Sequence, residues 1–100
     1  MIDMSHFVGF EWDDGNDRKS VSKHAVTTNE SEQVFVDKRV KVTNDARHSQ
    51  NEVRYHALGR TVEGRLLHVT FTLRHGQSKI RMISARDASR KERMHYEQEA

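Results

Sequence analysis

The stretch Leu66 to Arg74, Leu-Leu-His-Val-Thr-Phe-Thr-Leu-Arg, constrains the fold more than any other part of the chain. Strand side chains alternate with period two, so Leu67, Val69, Phe71 and Leu73 share one face and His68, Thr70, Thr72 and Arg74 share the other. A strand with one apolar and one polar face belongs in an antiparallel sheet covered on one side. Neighbouring segments carry the same signal. In residues 52–59, Val53, Tyr55 and Ala57 face one way and Glu52, Arg54 and His56 the other. Lys79 to Ala85 reads as the third strand of a meander, and Arg39 to Thr43 alternates weakly. Gly64 and Gly76 stand where hairpin turns are needed.

The flanking segments read differently. Phe7 to Trp12 is a short first strand, and Asp13 or Asp14 is placed to cap a polar helix running to about His24. Thr27 and Glu30 have the spacing of a capping box, which opens a second short helix ending near Val34 and Phe35. Ser89 and Glu92 repeat that spacing and open a C-terminal helix to about Gln98. So short a helix is unstable alone and must dock. The expected class is α+β: an N-terminal strand and two helices packed on an antiparallel meander sheet, with a C-terminal helix, the helices lying against one sheet face. Trp12 and Phe35 should pack beside the Phe71 face. The chain of 100 residues reads as one domain over 10–98, with residues 1–9 as an extension.

Charge is unevenly spread. Residues 1–50 hold 7 basic and 9 acidic side chains, whereas residues 51–100 hold 10 basic and 6 acidic. A polyanion would meet the second half, and a solvated face is the plainer reading of the same pattern. Absence of Cys excludes disulfides and thiolate metal sites. No segment reaches the roughly 20 apolar residues of a membrane span, and the start lacks a signal-peptide run. A soluble, cytoplasmic protein is expected. His6, His24, His48, His56, His68, His75 and His95 fall in no recognised ligand pattern, so neither metal nor other cofactor is expected.

The polar strand face suggests chemistry on RNA. Attack of a 2′-hydroxyl on the adjacent phosphate needs a base, fixed positive charge for the phosphorane-like transition state, and an acid for the leaving 5′-oxygen. Arg54, Arg74, Arg81 and Arg86 are suited to the charge. His24, His56 and Glu52 are suited to proton transfer. No metal is required. Plainer readings stand beside these: Glu52 and Arg54 as a cross-strand pair, His68 as a spectator, His24 as a helix-closing cation. Strict alternation sets Arg81 and Arg86 on opposite faces, unless a bulge or the strand end intervenes.

An ordered series of motifs resembles the BrnT-type ribonuclease toxins. Phe10-Glu11-Trp12-Asp13 resembles that family's opening, and Lys23-His24-Ala25-Val26 its Lys-His-Gly-Val, with Ala in the glycine position. Val34-Phe35-x-Asp37, Glu52-x-Arg54, Arg65-Leu66-Leu67-x-Val69 and Thr72-x-Arg74 follow in order. The most specific is Ile80-Arg81-x-Ile83-Ser84-Ala85-Arg86-x-Ala88, continued by Glu92-Arg93 and Tyr96-Glu97. The resemblance spans about residues 10–97. It implies a RelE-like fold, RNA cleavage that arrests growth, and a BrnA antitoxin whose ribbon-helix-helix part binds operator DNA, in a complex of two toxins and two antitoxins. Carried residue by residue, it implies RNA-site roles for Lys23, His24, Glu52, Arg54, Arg74, Arg81 and Arg86. The alternative is a toxin relative without activity that serves as an antitoxin-binding co-repressor. Ala25 departs from the pattern, because a glycine there serves a positive φ that Ala resists.

Overall fold

A computed structural model describes residues 9–12, 25–48, 52–74 and 79–98. Its elements are β1 (Gly9–Glu11), α1 (Thr28–Gln33), a 3-10 turn (Val34–Val36), β2 (Lys41–Asp45), a second 3-10 turn (Ala46–His48), β3 (Arg54–Arg60), β4 (Leu66–Arg74), β5 (Lys79–Asp87) and α2 (Arg90–Gln98). The expected helix between Asp13 and His24, and the turn at Gly76, lie outside the described residues. The five strands form one sheet in the order β1-β5-β4-β3-β2. β2 to β5 are antiparallel neighbours, and β1 closes the other edge parallel to β5. This is an α+β architecture.

The alternation in β4 builds the core as expected. Leu67, Val69 and Phe71 are fully buried with Ala57, Ile80, Met82 and Ala85, beneath Val26, Val34 and Phe35, and Trp12 packs at the margin. Phe71 meets Phe35 edge-on at 5.0 Å and stacks on Tyr55 at 5.4 Å. Val53 departs from expectation: it precedes β3 and is 45% exposed.

Both capping boxes form. Thr27 Oγ1 accepts from the Glu30 amide while Glu30 accepts from the Thr27 amide. The Glu92 amide donates to Ser89 Oγ, and the Ser89 amide donates to Glu92. The second box starts a helix that does not lie where expected. Leu58 and Leu66 belong, by alternation, to the polar face, yet both are buried there with Tyr96 of α2. The C-terminal helix therefore covers one end of the face opposite α1. Tyr96 donates to Asp37 Oδ2 at 2.6 Å, and the same oxygen accepts the Arg60 amide at 2.8 Å. The Arg60 guanidinium lies 5.4 Å from the Tyr96 ring centroid.

Two backbone positions carry opposite constraints. Gly59 lies so close to the first 3-10 turn that a Cβ would stand 2.9 Å from both Val34 Cγ1 and the Val34 carbonyl oxygen. Ala25 adopts φ of 53°, the left-handed region that suits glycine. Its carbonyl accepts from Arg65 at 2.8 Å, and Arg65 also grips Asp87 (2.7 and 3.0 Å) and Glu30 (3.2 Å). Ala25→Gly is expected to stabilise the fold by about 1 kcal/mol, the methyl's left-handed penalty less the added chain entropy of glycine. Gly59→Ala is expected to destabilise it by about 1–3 kcal/mol through overpacking. Thermal melts of the two variants check both signs.

Candidate active site

The polar face is organised by register. β4 and β5 pair Thr70 with Ser84 and Phe71 with Met82, so Ile83 has no partner and forms a bulge. Arg81 then opposes Thr72, and Arg86 opposes His68. Thr72 and His68 share a face, so the bulge brings Arg81 and Arg86 onto it together. On β3, Arg54 and His56 occupy the same face, His56 opposite Thr70 and Arg54 opposite Asp45 of β2.

Three rows result. The first runs Glu11, Arg81, Thr72, Arg54, Asp45, with the β3–β4 register continued one residue beyond Tyr55 and Phe71. Its two arginines sit two strands apart, about 10 Å at the backbone, and long side chains from that separation can converge on one phosphate. The second row runs Ser84, Thr70, His56, Thr43, and the third Arg86, His68, Leu58, Lys41.

The centre of this face is a pair of neighbouring imidazoles, one of them with a polar contact at each ring nitrogen. His56 Nδ1 lies 3.1 Å from Thr70 Oγ1, and Nε2 lies 3.0 Å from Asp45 Oδ2. The His68 ring is 4.5 Å away between centroids. Burial pushes His68 down to about 4, so it is neutral at pH 7. A cleft of about 210 Å³ opens beside the pair, lined by Lys41, Thr43, Leu58, Glu92 and His95 as well as the two histidines.

The sequence candidates divide into groups. Arg54 and Arg81 lie in the first row, on either side of Thr72. Arg74 shares their face and forms an ion pair with Glu52 at 3.1 Å, with both side chains substantially exposed. Such a pair contributes little and exchanges readily for another anion. Glu52 thus pairs with Arg74. Arg86 makes a two-pronged contact with Glu92, 2.8 and 2.9 Å, which raises its own pKa and holds the Glu92 carboxyl down at about 2. That contact fastens the start of α2 to the sheet. Lys23 and His24 lie outside the described residues. Among the described residues no group of three His, Asp or Glu is arranged to hold a metal ion.

Sequence reasoning raised His56 and passed over Asp45. Their contact spans two strands, and only the register discloses it. Leu58 and Leu66 were the available signal for α2, being apolar residues on an otherwise polar face.

His68 makes stability depend on pH. The unfolded chain takes a proton near 6.5 and the folded chain near 4, so stability is full above the first value and declines between the two. The expected loss from this group is about 2 kcal/mol between pH 7 and 4.5. Glu92 acts lower, its contribution fading from 4.5 toward about 2. Urea titrations at pH 7 and 4.5 should show a smaller pH difference in His68→Gln than in the parent. An unchanged difference would remove His68 as its source.

No curated protein matches the sequence. Among solved structures, a crystal structure of the ribonuclease toxin BrnT of Brucella abortus superimposes with a TM-score of 0.63, at 21% identity, over 83% of this chain and 99% of that one. At that identity the likeness is one of fold. The sequence model of the family described as ribonuclease toxin, BrnT, of type II toxin–antitoxin systems matches residues 12–92, and the chain belongs to that family.

Proposed function

We propose that this chain is a metal-independent endoribonuclease toxin that cuts RNA on the β3–β4–β5 face. The observation that carries the reading is the row joining Arg81, Thr72 and Arg54, next to the row that holds His56. Family membership supports an RNA target and an antitoxin partner. The RelE-like fold class, the BrnA identity of the antitoxin, its ribbon-helix-helix operator binding and a complex of two toxins with two antitoxins are parts of the same proposal. So is a cytoplasmic site of action, where the RNA is.

In the proposed reaction a phosphodiester lies between Arg54 and Arg81, with Arg74 released from Glu52 to a neighbouring phosphate. His56 takes the 2′-hydroxyl proton as that oxygen attacks phosphorus. The bond to the 5′-oxygen breaks and the leaving oxygen takes a proton, the role proposed for His24 from its chemistry, with Lys23 as a further site residue that the family resemblance implies. The guanidinium groups offset the extra negative charge that develops on the phosphate oxygens. Arg86 acts from a distance by holding α2 against the sheet. Fixed cations supply the electrostatic role a divalent metal would otherwise fill, so cleavage should persist in EDTA.

Single-turnover cleavage with enzyme in excess tests the reading. Arg54→Ala and Arg81→Ala are each expected to lower the saturating rate by about 10²–10³ fold. Lys at either position restores little, because it lacks the planar fork. Arg74→Ala should weaken binding and its salt dependence more than the rate. Saturating rates at the parent level in both Arg54→Ala and Arg81→Ala would remove these arginines from the chemistry. In cells, expression of the chain alone should stop growth and co-expression of a neighbouring ribbon-helix-helix antitoxin should restore it. Harmless expression together with tight antitoxin binding would favour the co-repressor alternative.

A further inference from the structure

Asp45 stands at the end of the edge strand β2 and has no part in the reaction as written above. Its side chain is 10% exposed, and one oxygen lies 3.0 Å from His56 Nε2. A carboxylate at that position must be satisfied by donors, because it is acceptor-only when ionised. The imidazole therefore carries its hydrogen on Nε2. That leaves the Nδ1 lone pair as the acceptor, and Thr70 Oγ1, 3.1 Å away, donates to it. A hydroxyl thus already occupies the place from which a substrate hydroxyl would give up its proton. Asp45 also faces Arg54 directly across the β2–β3 register. One carboxylate therefore touches the base and lies beside the cation.

We propose that Asp45 is a positioning residue for RNA cleavage: it fixes the tautomer and ring orientation of His56 so that Nδ1 faces the substrate. The proposal rests on the ribonuclease reading above. In the step, the 2′-hydroxyl displaces the Thr70 hydroxyl at Nδ1 and its proton passes to that nitrogen as oxygen bonds to phosphorus. The imidazolium so formed keeps its Nε2–H on Asp45, whose negative charge lies against the new positive one. Other charged and titratable groups around the ring are His68 on β4, Arg86 on β5, Lys41 on β2, and Glu92 and His95 on α2. Asp45 is the carboxylate bonded to the His56 ring.

A plain structural clasp between β2 and β3 would also use this contact, and a double-mutant cycle separates the two roles. Asp45→Asn, His56→Gln and the double variant are measured by single-turnover cleavage of a short RNA, with RNA affinity and melting temperature measured in parallel. Asp45→Asn is expected to lower the saturating rate by roughly 10²–10⁴ fold, the range of general acid–base catalysis, whose upper end is the cost of losing the orienting carboxylate in a Ser-His-Asp site. RNA affinity should stay within about threefold. In the His56→Gln background the same change should have no further effect, because Asp45 acts through His56. A parent-level rate in Asp45→Asn, or full additivity in the double variant, would overturn the proposal.

A second readout needs no cleavage. The parent protein should show a slowly exchanging imidazole N–H proton resonance far downfield, absent in His56→Gln. Its absence from the parent would overturn the proposal even if Asp45→Asn fails to fold. A parent that cuts no RNA would instead sink the ribonuclease reading, whatever the resonance shows.

Discussion

Ile83, the residue in β5 without a partner across β4, determines what the two sides of the sheet contain. Before it, Ile80 and Met82 point into the core; after it, Ala85 does. The even-to-odd change is possible because the bulge absorbs one residue. Without it, every side chain beyond Met82 would reverse. Arg86 would enter the apolar layer against Leu67, and Ala85 would join the polar face beside His68. Burying an arginine there without a partner would cost more than a small domain can spare. The bulge thus protects the core, and the same displacement aligns Arg86 with Arg81 on the polar face.

The charged groups on that face divide between holding the fold and meeting a ligand. Arg86 on that face, like Arg65 on the α1 side of the sheet, is tied to a carboxylate by paired hydrogen bonds, and each joins a helix or loop to the sheet. Arg74, among the described residues, is held by an exposed ion pair. Arg54 and Arg81 lie nearer the middle of the sheet, between the carboxylates of Asp45 and Glu11 in the same row. A row of cations bracketed by anions lowers the long-range repulsion among them while leaving the space above the middle positive.

Much of this was legible in the residues. β4 has the limits that its alternation implies, because nine consecutive residues obey one period and both faces are consistent in character. Both capping boxes were legible because they are local, each complete within four residues. The side chosen by α2 was not. Its docking rests on Tyr96, Leu58 and Leu66, three residues distant in sequence, and on an Asp37 carboxylate that reaches it around the sheet edge. The Asp45–His56 contact was hidden for the same reason: it depends on how many residues the connection from β2 to β3 consumes. Arg81 and Arg86 were separable by parity alone and were joined only by an irregularity that leaves no composition signature.

The sheet order has a consequence for motion. β4 lies between β3 and β5, paired on both sides from Leu67 to Phe71. Amides in such a position open only with the whole domain, whereas short edge strands open locally. Arg54, His56, Thr70, Thr72 and Arg81 all ride on these three inner strands. Their backbone anchors thus belong to the slowest-relaxing part of the molecule. The spacing of the two arginines along the sheet is therefore fixed by the backbone in the folded state, before any ligand arrives.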